Sequence, residues 1–198
     1  MQPDRGSVRL LGMNILTRTT TIGAAALTAA VLTLTQLAPA NADGTGVTDP
    51  KDLKHGVDLR SVTVDHGARN VVVTTTHTDL VESFRSGSSG AVFLDTDPDD
   101  PGPEYVFAGG FFVGTDYNLL TTDGFSTSAW GEPVEGSYTM KVDYEKETVR
   151  FRISRSAIGD PDEVRVAVRV AGTRPNGKDT LVDWLRAPRS FTDWVASS

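Results

Sequence analysis

The sequence predicts an all-β domain, an antiparallel β-sandwich or jelly roll with at most one short helical turn. Three observations predict it. Apolar residues recur at every second position in several short runs, Gly, Pro and Asp clusters punctuate those runs at near-regular spacing, and the chain beyond residue 42 holds no amphipathic stretch of three helical turns. In chain order, "RSVTVD" and "NVVVTTTHT" pair through His66 to Arg69, with Val64 facing Val71 and Val62 facing Val73. Further strands are expected at 91–95, 105–108 and 111–113. In "YTMKVDY" and "TVRFRIS" the large apolar residues fall on one face. A loop from Glu145 to Thr148 sets Tyr144 against Val149, Val142 against Phe151 and Asp143 against Arg150. "SRSAIGDPDE" predicts one helical turn over Ser154 to Ile158, stopped by Gly159 and Pro161, and "VRVAVRV" (Val164 to Val170) is a last strand.

The first 42 residues read differently. An uncharged run from Ile22 to Leu37 follows Arg18 and precedes the small-residue site Ala40-Asn41-Ala42, the pattern of a secretory signal peptide, with Ala38-Pro39-Ala40 as a second site and Met13 as an alternative start. The run is shorter than the ~20 apolar residues of a spanning helix. The expectation is a secreted protein with one β-sandwich domain over residues 43–198, a monomer that does not insert in membranes after cleavage. Without cysteine, such a domain uses neither disulfides nor thiolate chemistry. Removing residues 1–42 takes out Arg5, Arg9, Arg18 and Asp4 and leaves 16 basic against 25 acidic side chains, a net charge of −9. That balance argues against nucleic acid as a partner. The charge is segregated: no Lys or Arg lies between Arg85 and Lys141, where nine carboxylates occur, whereas from Ser137 onward 11 basic residues face 9 acidic ones.

The order of segments runs from an acidic lead-in ("DPKDLKHGVDLRSVTV") through a hairpin, "VFLDTD" with a proline-rich turn, a glycine-aromatic stretch, a second hairpin, "FRISRSAIGDPDEVRVAV" and a terminal "DWLRAP". It resembles small secreted β-sandwich proteins of high-GC bacteria. More distantly, it is similar to the jelly rolls of family 9 carbohydrate-binding modules and DOMON-type domains. "FRISRSAIG" matches their common ending, in which a strand runs into a short turn. Some DOMON-type domains hold haem through Met and His; here Met140 alternates with Tyr138 and Val142 and is expected in the core.

Two places are candidate sites. In "LDTDPDDPGPE", Asp95, Asp97 and Asp99 copy the first three ligand positions of an EF-hand loop, but Asp100 stands where that loop needs glycine and Val106 where it needs glutamate. They are either a calcium site of another kind, completed by Glu104, Asp116 or Asp123, or turn-forming carboxylates facing water. In "GTDYNLLTTDGFSTSAWGEP", Asp116, Tyr117, Asn118, Asp123 and Trp130 combine flat rings with paired polar groups, as binding an extracellular glycan or cell-surface component requires; the alternative is rings that cover an edge of the sandwich. His55, His66 and His77 suggest a metal cluster or, with Asp58, part of a catalytic triad, but no nucleophile elbow accompanies them. Lys141, Arg150, Arg152, Arg165 and Arg169 form an outward basic row. The function expected is a non-catalytic binding domain, with a carbohydrate-active enzyme or a protein-interaction module as alternatives.

Overall fold

The computed structural model describes residues 44–174 and 177–198; the expected leader, residues 1–42, lies outside them. Twelve strands follow one another: β1 (Thr45–Thr48), β2 (Leu59–His66), β3 (Asn70–His77), β4 (Ser89–Asp95), β5 (Tyr105–Gly110), β6 (Tyr117–Thr122), β7 (Trp130–Pro133), β8 (Tyr138–Asp143), β9 (Thr148–Ser154), β10 (Glu163–Thr173), β11 (Thr180–Trp184) and β12 (Val195–Ala196). One antiparallel sheet has the order β1-β2-β3-β9-β8. The other has β11-β10-β4-β5-β6-β7, with β12 added to β10. The β-sandwich expected from the alternation is the fold observed. No helix among the described residues is long and apolar enough to cross a membrane.

The core lies between the sheets. Val62, Val64, Val71, Val73, Val149, Phe151 and Ile153 of the five-stranded sheet meet Val92, Leu94, Phe107, Leu119, Val166 and Val168 of the other. Each set occupies alternate positions, which burial on one face demands. A second apolar cluster covers the outer face of the seven-stranded sheet. There Phe93 is packed by Phe125, Trp130 and Trp184, its ring stacked at 5.9 Å on Trp184.

Both expected hairpins form, each two residues out of the expected register. Val64 faces Val73 and His66 faces Val71; Val142 faces Val149 and Met140 faces Phe151. A slip of two keeps every side chain on its face, so alternation cannot detect it. The turns decide instead. Gly67 donates its N–H to the Asn70 carbonyl, which brings His66 into the strand. Glu147 takes a left-handed φ of 56° and closes the other turn early. Asp143 therefore faces Thr148 and pairs with Lys146, and Arg150 faces Lys141.

The expected strand at 111–113 is a turn. Phe111, just past the end of β5, buries its ring over Gly90, where an added Cβ would lie 2.2 Å from Cζ. Val113 is exposed, and Gly114 takes φ +81°. The expected helical turn is present as a 3₁₀ turn over Arg155–Ile158, ended by Gly159 at φ 81°. It is not alone, since two further 3₁₀ turns, Phe84–Ser86 and Thr127–Ala129, each follow a serine whose side chain accepts a backbone N–H.

Candidate metal centre

The "DTDPDD" carboxylates do not converge. Asp95 ends β4 on its outer face and is fully buried. Its cross-strand neighbour Arg165 donates Nε–H and Nη2–H to Oδ2 at 2.8 and 2.6 Å. The same guanidinium lies over the rings of Phe191 and Trp194 at 4.7 and 4.6 Å. Asp97 and Asp99 are exposed beyond the strand end, and Asp97 Oδ1 accepts the Asp99 N–H. Strand alternation sends the first aspartate under the C-terminal tail, while the turn sends the other two to water. Glu104 closes this turn by accepting from Thr96 N–H and Oγ1–H, and burial pushes its carboxyl above the usual range.

The five glycan candidates are divided as well. Tyr117 faces the inter-sheet core, its ring stacked at 5.6 Å on Phe107, whereas Trp130 packs on the opposite face of the sheet beside Phe93. Asp116, Asn118 and Asp123 are exposed. Of the five, Asp123 alone lines the cleft of about 350 Å³ between Asp100–Glu104 and Thr121–Asp123. One strand cannot present neighbouring residues Tyr117 and Asn118 to the same ligand, because they point to opposite faces.

The histidines hold separate backbone groups. His55 Nδ1 accepts the Val57 N–H, and His66 Nδ1–H donates to Val195 O. His77 Nδ1–H donates to Val57 O, so its Nε2 accepts from Thr75 Oγ1. Burial lowers the His77 pKa to about 4 and fixes it as a neutral core residue. Asp58 does not orient it: Asp58 Oδ1 accepts the N–H groups of Asp52 and Leu53, and Oδ2 accepts the Thr78 hydroxyl.

A cluster that the sequence reading missed is Asp49, Asp52 and Asp183. One carboxylate oxygen from each lies within 4.8 Å of the others. Asp49 follows edge strand β1, and its N–H donates to Arg60 O. The loop from Asp49 to Asp58 is folded back by the Asp58 carboxylate, which places Asp52 beside Asp49. Asp183 comes from β11, at the edge of the other sheet, and accepts the N–H groups of Leu59 and Trp184. Asp49 Oδ1 accepts the Arg186 N–H at 2.5 Å. Its Oδ2 is buried with no hydrogen-bond partner, in a residue 5% exposed. The signal was present in "TLVDWL": Asp183 shares the inward phase of Leu185, where a charge has no place without a partner.

Burial first, then the charges of Asp49 and Asp52, push the Asp183 carboxyl up to about 6. Burial also raises Asp49, and the Arg186 N–H opposes that shift. A raised carboxyl stabilises the fold below the unfolded value of 3.8, and that contribution is lost as pH rises through about 6. The cation-free cluster is thus a liability at neutral pH. His77 acts in the opposite sense: its contribution is full above 6.5 and lost as pH falls through about 4. Asp52 is exposed, and its carboxylate accepts no backbone N–H among the described residues. Asp52→Asn should therefore raise the melting temperature in EDTA at pH 7.5 by roughly 1–3 °C, by removing one like charge at no hydrogen-bond cost. A lower melting temperature in that variant would mean that the three carboxylates do not repel.

No protein-family model matches the chain, and no curated protein matches it.

Proposed function

We propose that the chain is an exported, non-catalytic binding module whose two sheets are fastened by calcium at Asp49, Asp52 and Asp183. The observation that carries this is the convergence within 4.8 Å of Asp183 from an edge strand of one sheet with Asp49 and Asp52 from the loop that follows edge strand β1 of the other, Asp49 having a buried and unpaired oxygen. A hard cation that takes six to eight oxygens relieves that arrangement: it replaces mutual repulsion with shared ligation and gives Asp49 Oδ2 a partner. Calcium suits the cluster better than magnesium, because irregular carboxylate sets meet its looser geometry. The non-catalytic reading is supported by the other tasks of the buried acids. Asp49, Asp58 and Asp183 each accept a backbone N–H, and Asp95 is held by Arg165. Export rests on the run Ile22 to Leu37 with its small-residue site. An extracellular glycan remains the partner expected.

The test is a thermal melt of the full chain in calcium and in EDTA. At a calcium concentration 100-fold above the dissociation constant, linkage gives about 2.7 kcal/mol, or roughly 5–10 °C for a domain of this size. Asp49→Asn should abolish the shift. In the wild type the shift should shrink as pH falls through 6, since protons compete for Asp183. Identical melts in calcium and EDTA would sink the cation reading.

A further inference from the structure

The outer face of the five-stranded sheet is where the charge of this acidic protein reverses. Of the basic row expected there, Arg165 and Arg169 belong to β10 in the other sheet, and Lys141, Arg150 and Arg152 remain on β8 and β9. The strand register aligns Thr74, Arg150 and Lys141 across the sheet, with Val72, Arg152 and Thr139 as the next row. Neighbouring strands lie about 4.8 Å apart and alternate residues about 7 Å. Three cations thus fall within one small patch, and Arg69 from the β2–β3 turn joins them along a groove.

Lys141 faces Arg150 directly, a like-charge pair that weakens a sheet. No ion pair among the described residues engages Lys141, Arg150 or Arg152. The nearest acid on these strands, Asp143, is taken by Lys146. Three shallow grooves of about 390, 410 and 500 Å³ cross the face, and Arg152 lines all of them. The sheet thus keeps three exposed cations without an ion pair among the described residues, although Glu82, Glu145 and Asp160 line the neighbouring grooves.

We infer that this face docks a linear acidic polysaccharide, with Lys141, Arg150 and Arg152 pairing its carboxylates. Guanidinium groups match carboxylates two N–H groups at a time. Thr74 and Thr139 flank the cations at the ends of their rows, where their hydroxyls can partner sugar hydroxyls. Asp65, beside Val72, repels a polymer charged at every unit and tolerates one charged at intervals. The two rows hold no aromatic ring for base stacking, which single-stranded nucleic acid uses. The inference rests on the reading of the chain as a binding module; it is independent of the calcium centre.

The experiment is calorimetric titration of the full chain with hyaluronate oligosaccharides, which carry a carboxylate on alternate sugars, at low salt and constant calcium. Chito-oligosaccharides serve as the neutral control. Binding of hyaluronate alone is expected, weakened at least tenfold in the Arg150→Gln, Arg152→Gln double variant and weakened by added salt. The variant should melt no lower than the wild type, because Lys141 loses its like-charge neighbour, so lost binding cannot be ascribed to lost folding. No hyaluronate binding, equal affinity in the variant, equal binding of the neutral chain or tighter binding of duplex DNA would each overturn the inference. A calcium-dependent melt with no hyaluronate binding removes this surface and leaves the calcium centre; binding without a calcium shift does the reverse.

Discussion

Asp95→Ala is expected to cost about 3–5 kcal/mol of unfolding free energy, the penalty for stripping one partner from a buried ion pair. Asp97→Ala and Asp99→Ala, two and four positions on, are each expected to stay within about 0.5 kcal/mol. The difference follows from placement. Asp95 is fully buried and accepts two N–H groups of Arg165, whose side chain is 28% exposed and whose guanidinium lies over Phe191 and Trp194 of the C-terminal tail. Without the carboxylate, the guanidinium keeps two ring faces and a partial share of water. Against a typical total of 5–15 kcal/mol the loss approaches unfolding, with a melting temperature lower by roughly 6–20 °C. Replacing the pair together, Asp95→Leu with Arg165→Met, should recover most of the loss, since apolar groups of similar size fill such a site well. Denaturant titration of the four proteins measures this. A loss under about 1 kcal/mol for Asp95→Ala would show that the guanidinium finds water instead.

Phe107→Ala should lower stability by a comparable 3–5 kcal/mol, through a cavity rather than a charge. Phe107 on β5 is fully buried, and its ring lies 5.2 Å from Phe151 and 5.6 Å from both Tyr117 and Tyr138. Those neighbours come from β6 and from β8 and β9 of the opposite sheet, so one ring joins both layers. Aromatic pairs of this kind, here two edge-to-face and one stacked, add about 0.5–1.5 kcal/mol each beyond the area they bury. Val113→Ser, at an exposed turn, is the control and should be near neutral. A Phe107→Ala protein within 1 kcal/mol of the wild type would mean that the sheets collapse into the space.

Strand faces were legible in the sequence because a period of two records which side is buried. Val62, Val64, Phe151 and Ile153 are core residues as expected. Register was not, because the alternation of "YTMKVDY" is unchanged by a two-residue slip, and the turn was set by Glu147 in a conformation that ordinary side chains seldom adopt. Side-chain placement at the candidate sites was less legible. A run such as Asp95-Thr96-Asp97 invites a local reading, yet β4 ends at Asp95 and the turn beyond it carries Asp97 to water. Asp49 and Asp183 are brought together only by the packing of one sheet edge on the other, which no window of sequence contains. The legible trace of Asp95 and Asp183 was a charge in the phase of the apolar residues, in "AVFLD" and in "TLVDW".

The strand order also sets a timetable. The five-stranded sheet joins its halves by pairing Val73 with Phe151, and the other sheet pairs Val92 with Val168. Neither ladder can begin until a strand about 75–80 residues further along the chain is available, and each must first meet the entropy of closing that loop. Folding dominated by such distant pairings takes milliseconds to seconds. For the export proposed above, a nascent chain held open on that scale would stay threadable through a translocation channel.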